Sequence, residues 1–251
     1  MSHRTLGLAV AIVIALIISG TGLRGCKKSA QAEELGKEQT KPTAPETPQT
    51  WGDVEEDVWI DFVDQPGEKF HKARESFLKK DFKNAAAEIR KGAAFLKLEA
   101  ARSTKEGKEL LMSSVYELKK LAKDVDAGEV TSAKMLDEAF ARAHHALARH
   151  HHIKATEYHA KGEMSKMGHA LKAAATHLEH GLAWSGHKLE AGTVEVLKET
   201  GLVAGKLIEG TGWVASGVGK AIDEIGKEIA KLGRMVEPAK REHQTQGRQT
   251  S

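Results

Sequence analysis

The chain has 251 residues, with 38 basic and 35 acidic side chains for a formal charge of +3, and only 5% aromatics. Charge this close to balance, with no concentrated basic face, excludes a nucleic-acid footprint. Abundant Ala, Lys, Glu, Leu and Gly, and no stretch alternating apolar and polar with period two, point to an all-α fold without strands.

In chain order, the amino terminus comes first. His3 and Arg4 precede an unbroken run of apolar or small residues over 6–18, then Ser19-Gly20-Thr21-Gly22 and Leu23-Arg24-Gly25-Cys26. This is the layout of a secretory signal: a basic head, an apolar middle, and small residues before a cut site. Leu-x-Gly-Cys resembles the lipobox of bacterial lipoproteins, which implies lipidation of Cys26, the only cysteine, as the new first residue. Arg24 departs from that pattern, which usually has a small residue there. Lys27, a non-aspartate after the cysteine, implies the outer membrane in that family. The alternative is an uncleaved single membrane anchor, for which the apolar run is short. Either way, the body faces the periplasmic side of a cell envelope. Residues 27–50 hold three of the five prolines and have little to bury, so they read as a disordered tether.

The body over 51–237 reads as a bundle of five to seven amphipathic helices. Val54, Val58, Trp59 and Phe62 share a face, so a short acidic helix is expected, ending near Pro66-Gly67. Phe70, Ala73, Phe77 and Leu78 mark the next helix. Lys80-Asp81-Phe82-Lys83-Asn84-Ala85 resembles the turn of a tetratricopeptide hairpin, but a single copy implies a helix-turn-helix contact and not a solenoid. An apolar stripe then runs from Phe82 to Val125, and the weak helix formers Ser103, Thr104 and Gly107 favour a break into two helices. After a stop at Asp126-Ala127-Gly128, helices are expected over 131–162 and 163–185. The last element is a long helix over 194–236, with a polar tail beyond Pro238.

That last stretch repeats every seven residues, with Gly205, Gly212, Gly219, Gly226 and Gly233 beside an apolar stripe. Five glycines inside a helix cost about 0.5–1 kcal/mol each, so close approach of a partner helix is expected to offset them. Charges on nearly every turn exclude a membrane span. Docking of this helix on a membrane surface remains open as a third reading. No Gly-Lys pair has P-loop spacing.

Histidine is the compositional anomaly: thirteen in all, nine of them between 144 and 180, with His187 just beyond. His145, His152 and His159 are spaced by seven, as are His180 and His187. A hairpin centred near Gly162 sets His145 level with His180. Imidazoles at such spacing suit zinc, copper, nickel or haem iron, with His145, His152, His177 and His180 as the candidate set. The paired Glu-x-x-His motifs of di-iron bundles are not present. If each helix buries one apolar face, however, His145 and His152 lie more than about 120° from it at 100° per residue. Most histidines would then be solvated, with only His150 pointing inward, and a pH-responsive surface is a further reading.

No nucleophile motif or phosphate loop appears. The sequence therefore reads as a membrane-tethered, non-enzymatic helical structural or interaction module, self-associating or bound to an envelope partner. Metal or haem binding over 144–187 is the alternative.

Overall fold

The computed structural model describes residues 65–237. Within them the chain forms seven helices and no strands: α1 (Gln65–Leu78), α2 (Phe82–Ala101), α3 (Lys105–Asp126), α4 (Ala133–Lys161), α5 (Met164–Ser185), α6 (Ala191–Glu209) and α7 (Ala215–Val236). The signal-like segment with Cys26, the tether, the acidic helix expected over 51–64 and the tail from 238 lie outside the described residues. Among the described residues, no helix is long and apolar enough to cross a membrane.

Local chemistry sets most boundaries. Pro66, expected to end a helix, instead sits in the first turn of α1, where its missing N–H has no helical acceptor to lose. The α1–α2 turn uses Lys80 at φ 64, after which the Asp81 carboxylate caps α2 by accepting from the Asn84 amide at 3.1 Å. The same bend recurs between α4 and α5. Gly162 there has φ 72, and Glu163 adopts φ −85, ψ 71, the values of Asp81. The apolar stripe from Phe82 does break, between Ala101 and Lys105. At that break the Ser103 hydroxyl donates back to the Glu99 carbonyl at 2.7 Å.

The glycine-rich stretch is not one helix. Gly210 and Gly212 both take left-handed backbone, at φ 75 and 70, and Val214 is extended before α7 begins. The seven-residue period continues through this point, but two positive-φ residues cannot lie in a right-handed helix, and turn chemistry overrides periodicity. The chain doubles back so that α6 and α7 pack together.

Helix α4 is the axis. Its Leu136, Phe140, Ala143 and Leu147 join a core formed with α1, α2 and α3. Its Ala141, Ala148 and Ala155 join a second core with α5, α6 and α7. It is therefore buried on two sides, not one.

The glycines divide by surroundings. A β-carbon on Gly226 or Gly233 would fall 2.7 Å from Nε2 of His152 or His145, whereas one on Gly205 or Gly219 would meet nothing within 4 Å. Gly212 belongs to the turn. Close backbone approach occurs instead at Gly168 of α5, where a β-carbon would lie 2.8 Å from the Ala204 carbonyl oxygen in α6.

These surroundings decide the sign of substitution. Gly168→Ala is expected to destabilise the fold by about 1–3 kcal/mol through overpacking, despite the better helix former. Gly205→Ala and Gly219→Ala are expected to stabilise it by about 0.5–1 kcal/mol each. Urea unfolding of the three variants checks both signs.

Candidate metal centre

The seam between the two cores is filled by imidazoles. His144, His150 and His151 of α4 and His177 of α5 are each at most 2% exposed, and Glu99 of α2 is 5% exposed. Heptad geometry explains the row on α4, because residues seven apart return to nearly the same face. His144 and His151 thus form one stripe between the Phe140–Leu147 side and the Ala141–Ala148 side.

Two groups of ligand atoms result. His144, His177 and His180 bring theirs within 4.8 Å of one another, as do Glu99, His150 and His151. In the first group, His144 Nδ1 lies 3.2 Å from His177 Nδ1. The His180 ring stands edge-on to His144 with centroids 5.1 Å apart. Phe70 closes the group from α1, with its ring at 88° to His144. Gly67 leaves room for the imidazoles, since a β-carbon there would lie 3.3 Å from His180 Nδ1. The groups are contiguous, because His151 stacks on His177 at 5.5 Å and 20°.

Hydrogen bonding leaves this row incomplete. His144 Nε2, both nitrogens of His151, and His180 Nδ1 are buried without a hydrogen-bond partner. An unsatisfied buried polar group costs about 1–3 kcal/mol, so four of them weigh heavily against a net stability of about 5–15 kcal/mol.

Burial also fixes the charge state. Desolvation, aided by the neighbouring imidazoles of His177, His180 and His71, holds His144 well below the usual histidine range. Desolvation does the same at His151, with Glu99 opposing it. His177 is pushed down to about 3, chiefly by burial and then by His180. His144, His151 and His177 are therefore neutral imidazoles, the form that ligates a metal.

The four histidines expected from the sequence are divided. His177 and His180 sit in the first group. His145 and His152 do not join them but face α7, where His152 Nε2 donates to the Ile222 carbonyl at 3.0 Å and His145 lies over Gly233. Far from being solvated, both are largely buried, and burial lowers both from the ordinary range. His159 and His187 are exposed. Glu99, His144 and His151 are additions, while His150 points inward as expected. The signal for His144 and His151 is the alanine stripe 141–148–155, which marks a second buried face on α4. A cleft of about 600 Å³ at the far end of α4, lined by Asp137, Arg142, Trp184 and His187, contains none of the unpartnered nitrogens and is not the centre.

No family model matches the chain, and neither the curated proteins nor the solved structures contain a match.

Acid should unfold the metal-free protein early. Folded His144, His151 and His177 stay neutral while unfolded histidines take up protons near 6.5, so the unfolded state binds more protons as pH falls. Stability present above pH 6.5 is then lost towards pH 3, by up to about 1.4 kcal/mol per pH unit for each histidine. Urea midpoints measured with chelator between pH 7.5 and 5 should fall steeply, and His177→Gln should flatten the slope. An unchanged slope would contradict these neutral imidazoles.

Proposed function

We propose that this protein is a transition-metal-binding helical bundle, with His144, His177 and His180 as the ligands of its first ion. The carrying observation is three imidazoles of the buried seam whose ligand atoms lie within 4.8 Å of one another, with His144 Nε2 and His180 Nδ1 lacking any hydrogen-bond partner. Distances support an ion. Two imidazoles on a tetrahedral zinc at about 2.0–2.1 Å stand about 3.3 Å apart, and His144 Nδ1 and His177 Nδ1 are 3.2 Å apart. An all-imidazole set suits zinc, copper or nickel and is poor for magnesium or calcium, which take oxygen. Rings packed at 5.1 and 5.3 Å centroid separation converge on a point, which favours an ion over a porphyrin plane. An ion there would tie α4 to α5 under α1, so binding and fold stability are coupled. We further propose, from the signal-like amino terminus and Cys26, that the bundle is tethered to a membrane and faces the outside of the cytoplasm. The chain's role there would be to hold metal, in place of the purely structural module that its composition alone favours.

Calorimetric titration of the chain with zinc, copper(II) and nickel tests this reading. Binding at micromolar or tighter Kd is expected for at least one ion, with a higher melting temperature in its presence. His144→Ala and His180→Ala should each weaken it at least tenfold, while His145→Gln with His152→Gln should leave it within about threefold. Absence of binding to all three ions would refute the proposal and make ordered water the partner of the bare nitrogens.

A further inference from the structure

The second group has a proton arrangement that does not close. The Ser103 hydroxyl carries one proton and gives it to the Glu99 carbonyl, 2.7 Å away. Its oxygen must therefore accept from His150 Nδ1 at 3.1 Å, which places that ring's proton on Nδ1. His150 Nε2 then turns a lone pair towards Glu99 Oε2, another acceptor, at 3.2 Å. Two acceptors at this distance in a buried site repel unless positive charge lies between them.

A proton on Nε2 would resolve that contact alone. It would leave His151 as it is, 2% exposed, with both ring nitrogens unpartnered and its ring 4.9 Å from that of His150. A metal ion resolves both problems together, because ligand atoms of Glu99, His150 and His151 all lie within 4.8 Å of one another. Gly107 at the start of α3 makes room for the His150 ring, since a β-carbon there would fall 2.9 Å from Nδ1.

We propose that Glu99, His150 and His151 hold a second divalent transition-metal ion beside the first, with Ser103 positioning His150 for ligation through Nε2. The inference rests on the metal reading of the His144–His177–His180 group and extends it to a two-ion core. The two sites differ in chemistry. One carboxylate with two imidazoles is the harder set and accepts zinc, cobalt(II) or iron(II), whereas the all-imidazole group is the softer. The carboxylate also offsets charge that a second dication would otherwise bring into the seam.

The test loads the full chain with cobalt(II) or zinc, removes loosely held metal by dialysis, and counts ions by mass spectrometry of the metal. Wild type should retain two equivalents, and Glu99→Gln with His151→Gln should retain one. His144→Ala with His180→Ala should retain the other, with a cobalt absorption spectrum distinct from that of the first variant. Ser103→Ala, which leaves every ligand in place, should weaken only the Glu99 site, by about tenfold. One equivalent in wild type, unchanged in the Glu99/His151 variant, would overturn the second ion and leave the first standing. Zero equivalents in wild type would overturn both. Two equivalents retained in the Glu99/His151 variant would place the second ion elsewhere and also overturn the assignment. Wild type alone counts the ions, and Ser103→Ala, which keeps every ligand, tests the assignment of the second, so a ligand variant that fails to fold does not shelter the proposal.

Discussion

Everything in this bundle depends on the desolvation of imidazoles at the seam between two apolar cores. Helix α4 separates those cores and carries His144, His150 and His151 along the line where they meet. A seam filled with leucine would be cheaper, since apolar groups carry no hydrogen-bonding debt when buried. Keeping neutral imidazoles there makes the fold sensitive to whatever supplies the missing partners. The stability of the core and its chemistry are thus one quantity seen from two sides.

Much of the architecture was legible in the sequence because helical punctuation is local. Asp81, Gly128, Gly162 and Gly186 sit at helix ends as their residue types imply, and the all-α class followed from period and composition. The candidate site was legible only in part. His177 and His180 could be picked out on α5, but the partners on α4 could not be chosen while that helix was given a single buried face. Measured from one apolar stripe, His150 alone points inward, and His144 and His151 are not singled out. With a second stripe of alanines at 141, 148 and 155, the same angles put them inside. Small residues give a weak hydropathy signal and so hide a buried face that large ones would announce.

The glycine heptad shows how a correct pattern can carry a different physical meaning. Its period matches the spacing of His145 and His152, and the two series meet antiparallel, Gly233 under His145 and Gly226 under His152. The missing β-carbons make space for imidazole rings, not for a neighbouring backbone. The third pair in this register, His159 and Gly219, is not closed: His159 is exposed and Gly219 faces open space. Where the pattern is followed by Gly210-Thr211-Gly212, backbone handedness ends the helix that periodicity would extend.

The return of α7 onto α4 has a kinetic consequence. Each of the pairs α1–α2, α2–α3, α4–α5 and α5–α6 joins neighbours in the chain, whereas α7 reaches α4 across two intervening helices. Helix α1 reaches α4 across two intervening helices as well, so both end helices close long loops onto α4, and such closures slow folding relative to the neighbouring pairs. The α4–α5 hairpin, with its imidazoles already gathered, can therefore form while one side of α4 is still uncovered. Loosening of α7 alone therefore uncovers His145 and His152, which sit over Gly233 and Gly226, while Phe70 of α1 still closes the His144 group.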